Sequence, residues 1–155
     1  MTLTSTQIGQ LAAQFFLAGA GTLSFAVLFA CPKRTLPCCA LVGAVGWFVY
    51  ELAVLYGADA AAASLIAVIP LALAARICAV LLKTPVTVFL LTGIFPLVPG
   101  AGIYYTAYSF IMGDSAAAAA KGAETLKIAV GLALGVAVVV AIPLRWGAGA
   151  RSRQK

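Results

Sequence analysis

The chain has 155 residues, of which 64% are hydrophobic and only 9% are charged, and its mean hydropathy is +1.11. An average soluble domain carries roughly 25% charged residues. The composition therefore excludes an ordinary soluble enzyme, a disordered segment and a nucleic-acid-binding module. The net charge of +6 does not indicate phosphate binding, because most of the cations flank apolar segments. The class of protein that fits this composition is an all-α integral membrane protein, embedded in a lipid bilayer.

The residues that most enzymes and metal sites need are scarce. The chain has no histidine, and its four cysteines do not have the spacing of a zinc or redox site; they are Cys31, Cys38, Cys39 and Cys78. We interpret these cysteines as small apolar residues in or near the bilayer. Without a Ser-His pair or paired intramembrane aspartates, we expect no enzymatic activity, no metal and no cofactor.

Five apolar stretches are long enough to cross a bilayer, which takes about 20 helical residues. A polyalanine run, 116–120, precedes the fifth stretch and is expected to lead into it as helix. A basic tail, 145–155, follows it. The predicted architecture is one transmembrane domain, 1–155, with spans at about 8–30, 38–56, 60–82, 86–112 and 125–144.

The distribution of cations predicts the orientation. With five spans, the first connection, the third connection and the tail share one side and hold most of the cations, whereas the other side holds both aspartates. The positive-inside rule then puts the C-terminus in the cytoplasm and the N-terminus outside. Arg76, within the third span, is expected to extend its side chain to the membrane surface.

The fourth span is interrupted in its middle by prolines and glycines. Pro96 and Pro99 lack an amide hydrogen and clash with the preceding helical turn, while Gly100 and Gly102 add backbone freedom. The sequence therefore predicts a helix broken between Pro96 and Gly102. In hydrocarbon such a break persists only where protein buries it or where it lines a water-filled cavity, as in many secondary transporters.

The chemistry predicted at this break is anion binding. The second half-helix would begin near Gly100 with free amides at the positive end of its dipole, where a carboxylate can bind. Gly100 and Gly102 leave room for its approach, and the hydroxyls of Tyr104, Tyr105 and Tyr108 are candidates to hydrogen-bond it. The alternative interpretation is a kink that serves only packing, with ordinary structural tyrosines.

Glu51 is the candidate for proton coupling. It lies inside the second span, where a carboxylate must face other helices or water, or be protonated. The alternative is a position near the headgroups, with Lys121 or Lys127 as its partner.

The motif Phe95-Pro-Leu-Val-Pro-Gly-Ala-Gly-Ile-Tyr, closed by Gly113-Asp114, resembles the signature of the ThrE-type threonine/serine exporters. The segments Phe25-Ala-Val-Leu-Phe, Pro32-Lys-Arg and Cys39-Ala-Leu-Val-Gly look like the start of that family's C-terminal membrane domain. In the split form of the family this domain is a separate small protein. The resemblance implies a larger partner subunit, and proton-driven export of small amino acids or related organic acids across the bacterial inner membrane.

The sequence thus predicts one subunit of a secondary exporter for small carboxylate-bearing metabolites, working with a larger subunit, with copies of itself, or both. One alternative is a non-transporting subunit that assembles or stabilises a transporter. Another is a small multidrug-type homo-oligomeric exporter. Such exporters need an acid within the first span, and this chain has none there.

Overall fold

The computed structural model of the protein describes residues 5–142, apart from the side chain of Thr6; the predicted basic tail, 145–155, lies outside this range. The described residues form helices joined by short connections, with no strand among them. The predicted all-α class is confirmed. The helices are α1 (Ser5–Leu28), α2 (Leu36–Leu55), α3 (Ala60–Leu82), α4 (Val86–Gly93), α5 (Gly100–Ile111) and α6 (Ser115–Ala141), and short 3-10 turns cover Lys33–Thr35 and Phe95–Leu97.

Local signals in the sequence explain where several helices start and end. Asp59 and Asp114 precede α3 and α6, and their carboxylates accept hydrogen bonds from the amides of Ala62 and Ala117 at 3.3 and 2.9 Å. Lys83 ends α3 in the left-handed conformation, with φ of 48°. Nothing between Ser115 and Ala141 breaks a helix, so the alanine run and the predicted last span form one continuous helix.

Helices α1 to α4 form a bundle in which α2 is central and contacts the other three. Two glycines of α2 allow this close packing. A Cβ on Gly43 would lie 1.9 Å from Oγ1 of Thr22, and a Cβ on Gly46 would lie 2.4 Å from Cδ1 of Leu71. Side chains that meet this closely exclude both lipid and water, as expected where helices pack through small residues.

Helix α6 runs parallel to α3, because Gly131 faces Ala61 near the start of α3 and Gly135 packs against Val68 further along it. The part of α6 before Gly131 therefore extends beyond the start of α3, by roughly 24 Å at 1.5 Å per residue. Helix α5 packs on this first half of α6 and makes few contacts with the bundle. The consequence is a helical hairpin, α5–α6, that leans away from the other helices.

Four helices are long and apolar enough to span a membrane, and the count rises to five if α4 and α5 together form one bent span. Many large apolar side chains on α1 are exposed, among them Phe16 and Leu28 at 73% and 74%. Such a surface suits hydrocarbon rather than water. The chain is therefore a multi-pass membrane protein.

Candidate functional site

The predicted break between Pro96 and Gly102 is present. Helix α4 ends at Gly93, a 3-10 turn covers Phe95–Leu97, and Val98 is extended, with φ −64° and ψ 128°. Helix α5 begins at Gly100, and the two halves meet at an angle of 56°. Because neither proline can donate an amide hydrogen bond, the helical ladder cannot continue through this segment.

The start of α5 leaves two amides without an acceptor. The amide of Ile103 donates to the carbonyl of Pro99 at 3.0 Å, and that of Gly100 donates to Val98 at 2.7 Å. Within residues 5–142, no carbonyl or side chain accepts from the amides of Ala101 and Gly102. These two groups lie at the positive end of the α5 dipole, so they can bind an anion that reaches them.

The four residues predicted at the break lie in different surroundings. A Cβ on Gly100 would meet no atom within 4 Å, whereas one on Gly102 would lie 2.4 Å from Oγ1 of Thr125. Gly100 thus leaves open space at the helix start, and Gly102 lets α5 pack closely on α6. Pro99 faces a groove beside α6, and Pro96 borders a small cavity against α1 and α2.

The three tyrosines of α5 form a cluster on its exposed side. The ring centroids of Tyr104 and Tyr108 are 6.2 Å apart, and those of Tyr104 and Tyr105 are 5.3 Å apart. Their exposed fractions are 62%, 54% and 48% for Tyr104, Tyr105 and Tyr108. No residue of α5 is buried. The structure brings the tyrosines to one another but not to a polar group of another helix.

An open groove of about 1030 Å³ runs along the surface where the break and α5 meet α6. Its lining is mainly apolar, with Ile94, Val98 and Ile103 on one wall. The hydroxyls of Thr106 and Thr125 also line it, but each donates to a carbonyl of its own helix at 2.7 Å. The groove therefore suits an apolar group, and the anion-binding capacity of the site is confined to the two free amides.

Glu51 lies in a second, more polar cleft between α1 and α2, of about 360 Å³. Its carboxylate has no hydrogen bond or ion pair with any residue of the described chain. Lys121, one of the two partners considered from the sequence, instead binds Glu124 on its own helix at 2.8 Å. The cleft thus holds an acid, four residues before the end of α2, with no lysine or arginine of residues 5–142 beside it.

The sequence reasoning missed the side chains that surround Glu51. Gln7, Gln10 and Gln14 of α1 line the same cleft. Their spacing of three and four residues puts them on one face of a helix, and this periodicity was the available signal. The periodicity did not indicate which helix this face would contact.

Gln14 connects this cleft to the break. Its Oε1 accepts a hydrogen bond from Nε1 of Trp47 at 2.9 Å. Gln14 and Trp47 also border a cavity of about 280 Å³ whose wall includes Pro96. Two neighbouring cavities that share Gln14 thus lie along the α1–α2 surface between Glu51 and the broken helix.

The cysteines form two thiol contacts, Cys31 with Cys39 and Cys38 with Cys78. Burial raises the pKa of the Cys31 thiol, and the neighbouring Cys39 raises it further. No three histidine, cysteine or acidic side chains of residues 5–142 come close enough together to hold a metal ion.

No curated protein and no solved structure gave a match to the chain. A family profile described as "Threonine/Serine exporter, ThrE" matches residues 14–142. The match includes the broken helix, the tyrosine cluster and Glu51, and it covers most of the chain. The chain therefore belongs to the threonine/serine exporter family.

Proposed function

We propose that the protein is a subunit of a secondary exporter of small amino acids such as threonine and serine, or of related small organic acids. Family membership over residues 14–142 supports the transport of such compounds. The observation on which the site depends is the pair of free amides, those of Ala101 and Gly102, at the broken helix. All of these substrates carry a carboxylate, which is the group that such amides bind.

The carboxylate would bind at the start of α5, above Gly100. The open space around Gly100 lets an anion approach the backbone closely, and the dipole of α5 favours negative charge at this end. The break places these amides away from either end of the bent span, where few water molecules compete for them. Pro96 and Pro99 contribute by keeping the helix open, and Gly102 by holding α5 against α6.

The tyrosine cluster supports a partner at α5. Tyr104, Tyr105 and Tyr108 offer hydroxyls with no acceptor among residues 5–142, on a helix without a buried residue. A larger membrane subunit of the same family, or a second copy of this chain, would cover this face and enclose the substrate between the two surfaces. The hydroxyls would then hydrogen-bond the carboxylate from the side opposite the amides.

We also propose that export is driven by protons and that Glu51 carries the coupling proton. An acid without a partner inside a span is the expected form of a proton relay. The cations of the α1–α2 and α3–α4 connections support a bacterial inner-membrane topology with the N-terminus outside and the C-terminus in the cytoplasm.

The test replaces Gly100 with leucine in vesicles that contain this chain, with and without its larger partner. Vesicles are loaded with labelled threonine, serine or a short dicarboxylate, and efflux is measured. Because a Cβ at position 100 would meet no atom within 4 Å, Gly100→Leu should insert normally and still lose most of its transport. Ala120→Leu, which places the same side chain at an exposed site on α6, should transport normally.

Unchanged efflux by Gly100→Leu would overturn the carboxylate site. Failure of the unaltered protein to export any of these substrates, with the partner present, would overturn the exporter assignment itself.

A non-transporting assembly subunit is the second candidate, and one observation favours it: the apolar groove beside α5 suits packing against another protein. In that case the break would be dry. Single cysteines placed at positions 98 to 104 in the assembled complex would then resist water-soluble thiol reagents, whereas a transport pathway would let them react.

A further inference from the structure

The cleft between α1 and α2 combines one acid with several amides in a membrane-embedded surface. Gln7, Gln10 and Gln14 contribute the α1 wall, and Glu51 and Leu55 contribute the α2 wall. At about 360 Å³ the cleft is large enough for a molecule the size of threonine. Among residues 5–142, no lysine or arginine lines it.

Two of the polar side chains in this cleft make no hydrogen bond within the described chain. Glu51 has no partner there, and the side chain of Gln10 makes no hydrogen bond to any of residues 5–142. Gln14 is different, because its Oε1 is held by Trp47. An unpaired carboxylate inside a span is costly, and this favours a role in which a ligand satisfies it during function.

The chemistry of the cleft selects a cation that can donate several hydrogen bonds. The carboxylate of Glu51 offers two acceptor oxygens, and the side-chain amide of Gln10 offers one more. A primary ammonium group has three donors and one positive charge, so it can satisfy Glu51 and an adjacent amide oxygen together. The negative carboxylate would repel an anion, because no lysine or arginine of residues 5–142 lines the cleft to offset its charge.

The position of the cleft links it to the broken helix. Gln14 borders both the Glu51 cleft and the neighbouring cavity, whose wall includes Pro96. Gly100 lines neither of these spaces. A ligand held at Glu51 would therefore meet the amides of α5 at a different step, not at the same time.

We propose that the Glu51 cleft binds a primary ammonium group, and that in transport this group is the amino end of an amino acid substrate. The second half of this proposal rests on the proposed export function, whereas ammonium binding does not. An amino acid then presents its ammonium group to Glu51 and its carboxylate to the start of α5, in succession.

The test uses a chain in which the four native cysteines are replaced by alanine and Gln10 by cysteine. In reconstituted vesicles, the labelling rate of Gln10→Cys is measured with a cationic and an anionic methanethiosulfonate of similar size. The Glu51 charge should make the cationic reagent react roughly fivefold faster. Adding Glu51→Gln should remove this preference. Ser5→Cys, near the same end of α1 but turned away from the Gln10 face, is the control and should show little change with Glu51→Gln.

The class of ligand is identified by the compounds that protect the cysteine at position 10 from labelling. Methylammonium and threonine should slow the labelling of Gln10→Cys, and acetate and sodium should not. Absence of labelling at position 10, equal rates for the two reagents, or protection by sodium without protection by methylammonium would each overturn the proposal.

A measurement on the unaltered protein guards against loss of folding in the cysteine-free chain. Methylammonium chloride should raise the midpoint of thermal unfolding above that in an equal concentration of sodium chloride. Glu51→Gln should remove this difference. An equal midpoint of the unaltered protein in the two salts would overturn the proposal. Threonine export with no methylammonium effect would overturn this inference alone. A methylammonium effect without export would overturn only the proposed function.

Discussion

The indole Nε1 of Trp47 donates a hydrogen bond to Oε1 of Gln14 at 2.9 Å, and this bond joins α2 to α1 between two cavities. The ring of Trp47 also stacks on Tyr50, with centroids 5.2 Å apart. The bond therefore holds the orientation of a side chain that borders both the Glu51 cleft and the wall of the break.

Trp47→Phe should weaken the association of α1 with α2. It keeps an aromatic ring against Tyr50 but leaves Oε1 of Gln14 without its donor, so the free energy of unfolding should fall by about 1 kcal/mol. Reversible unfolding in mixed micelles measures this change. Tyr50→Phe is the control, because the Tyr50 hydroxyl has no acceptor among residues 5–142. If Tyr50→Phe lowered the free energy of unfolding by as much, the effect would come from packing of the rings and not from the hydrogen bond.

Gly102→Ala should destabilise the α5–α6 hairpin. The added Cβ would lie 2.4 Å from Oγ1 of Thr125, whose hydroxyl is held by the carbonyl of Lys121. Overpacking of this kind costs roughly 1–3 kcal/mol. Unfolding of the single and double variants measures this cost. Adding Thr125→Ala to Gly102→Ala should restore most of the lost stability. An equal loss of stability in the Gly102→Ala single variant and in the double variant would disprove the contact. Gly100→Ala, which meets no atom, is the matched control.

Arg76 donates a hydrogen bond from Nη1 to the carbonyl of Val139, two residues before the end of α6. The sequence predicted that this side chain extends to the membrane surface, and it did not indicate Val139 as the partner. The bond ties α3 to α6 and places a positive charge at the negative end of the α6 dipole.

Arg76→Met should therefore lower stability by about 1–2 kcal/mol, as judged from unfolding in micelles, because a late α6 carbonyl loses its charged donor. Arg76→Lys should recover part of this loss, since the charge remains. If Arg76→Met were as stable as the unaltered protein, the Arg76–Val139 bond would have no structural role.

Cys31 should react slowly with maleimides at neutral pH. Burial, and then the neighbouring Cys39, raise the pKa of the Cys31 thiol, and the thiolate is the reactive form. Less thiolate is therefore present near pH 7 than in a free cysteine, and the rate should climb as the pH rises towards the raised pKa. The labelling rate between pH 6 and 10, in a variant that keeps Cys31 and Cys39 alone, tests this. Replacing Cys39 with alanine should shift the profile to lower pH; an unchanged profile would contradict the role of Cys39.

Some of the site was predictable because it depends on local backbone chemistry. Pro96 and Pro99 cannot donate amide hydrogen bonds in any fold, so the break was evident from the sequence. The distinct roles of Gly100 and Gly102 were not. Both residues look alike in sequence, but the first faces open space and the second faces Thr125.

By itself, the sequence determined the membrane environment, the helical class, the place where the fourth apolar stretch breaks, and the family to which the chain belongs. Each of these depends on hydropathy, on proline or on a contiguous motif. Only the tertiary structure decided that Glu51 faces three glutamines of α1, that Arg76 binds a carbonyl of α6, and that α5 packs mainly on α6. The physical reason is that nearly every face of these helices is apolar, so hydrophobic periodicity does not indicate which faces meet; close packing of small residues between helices does.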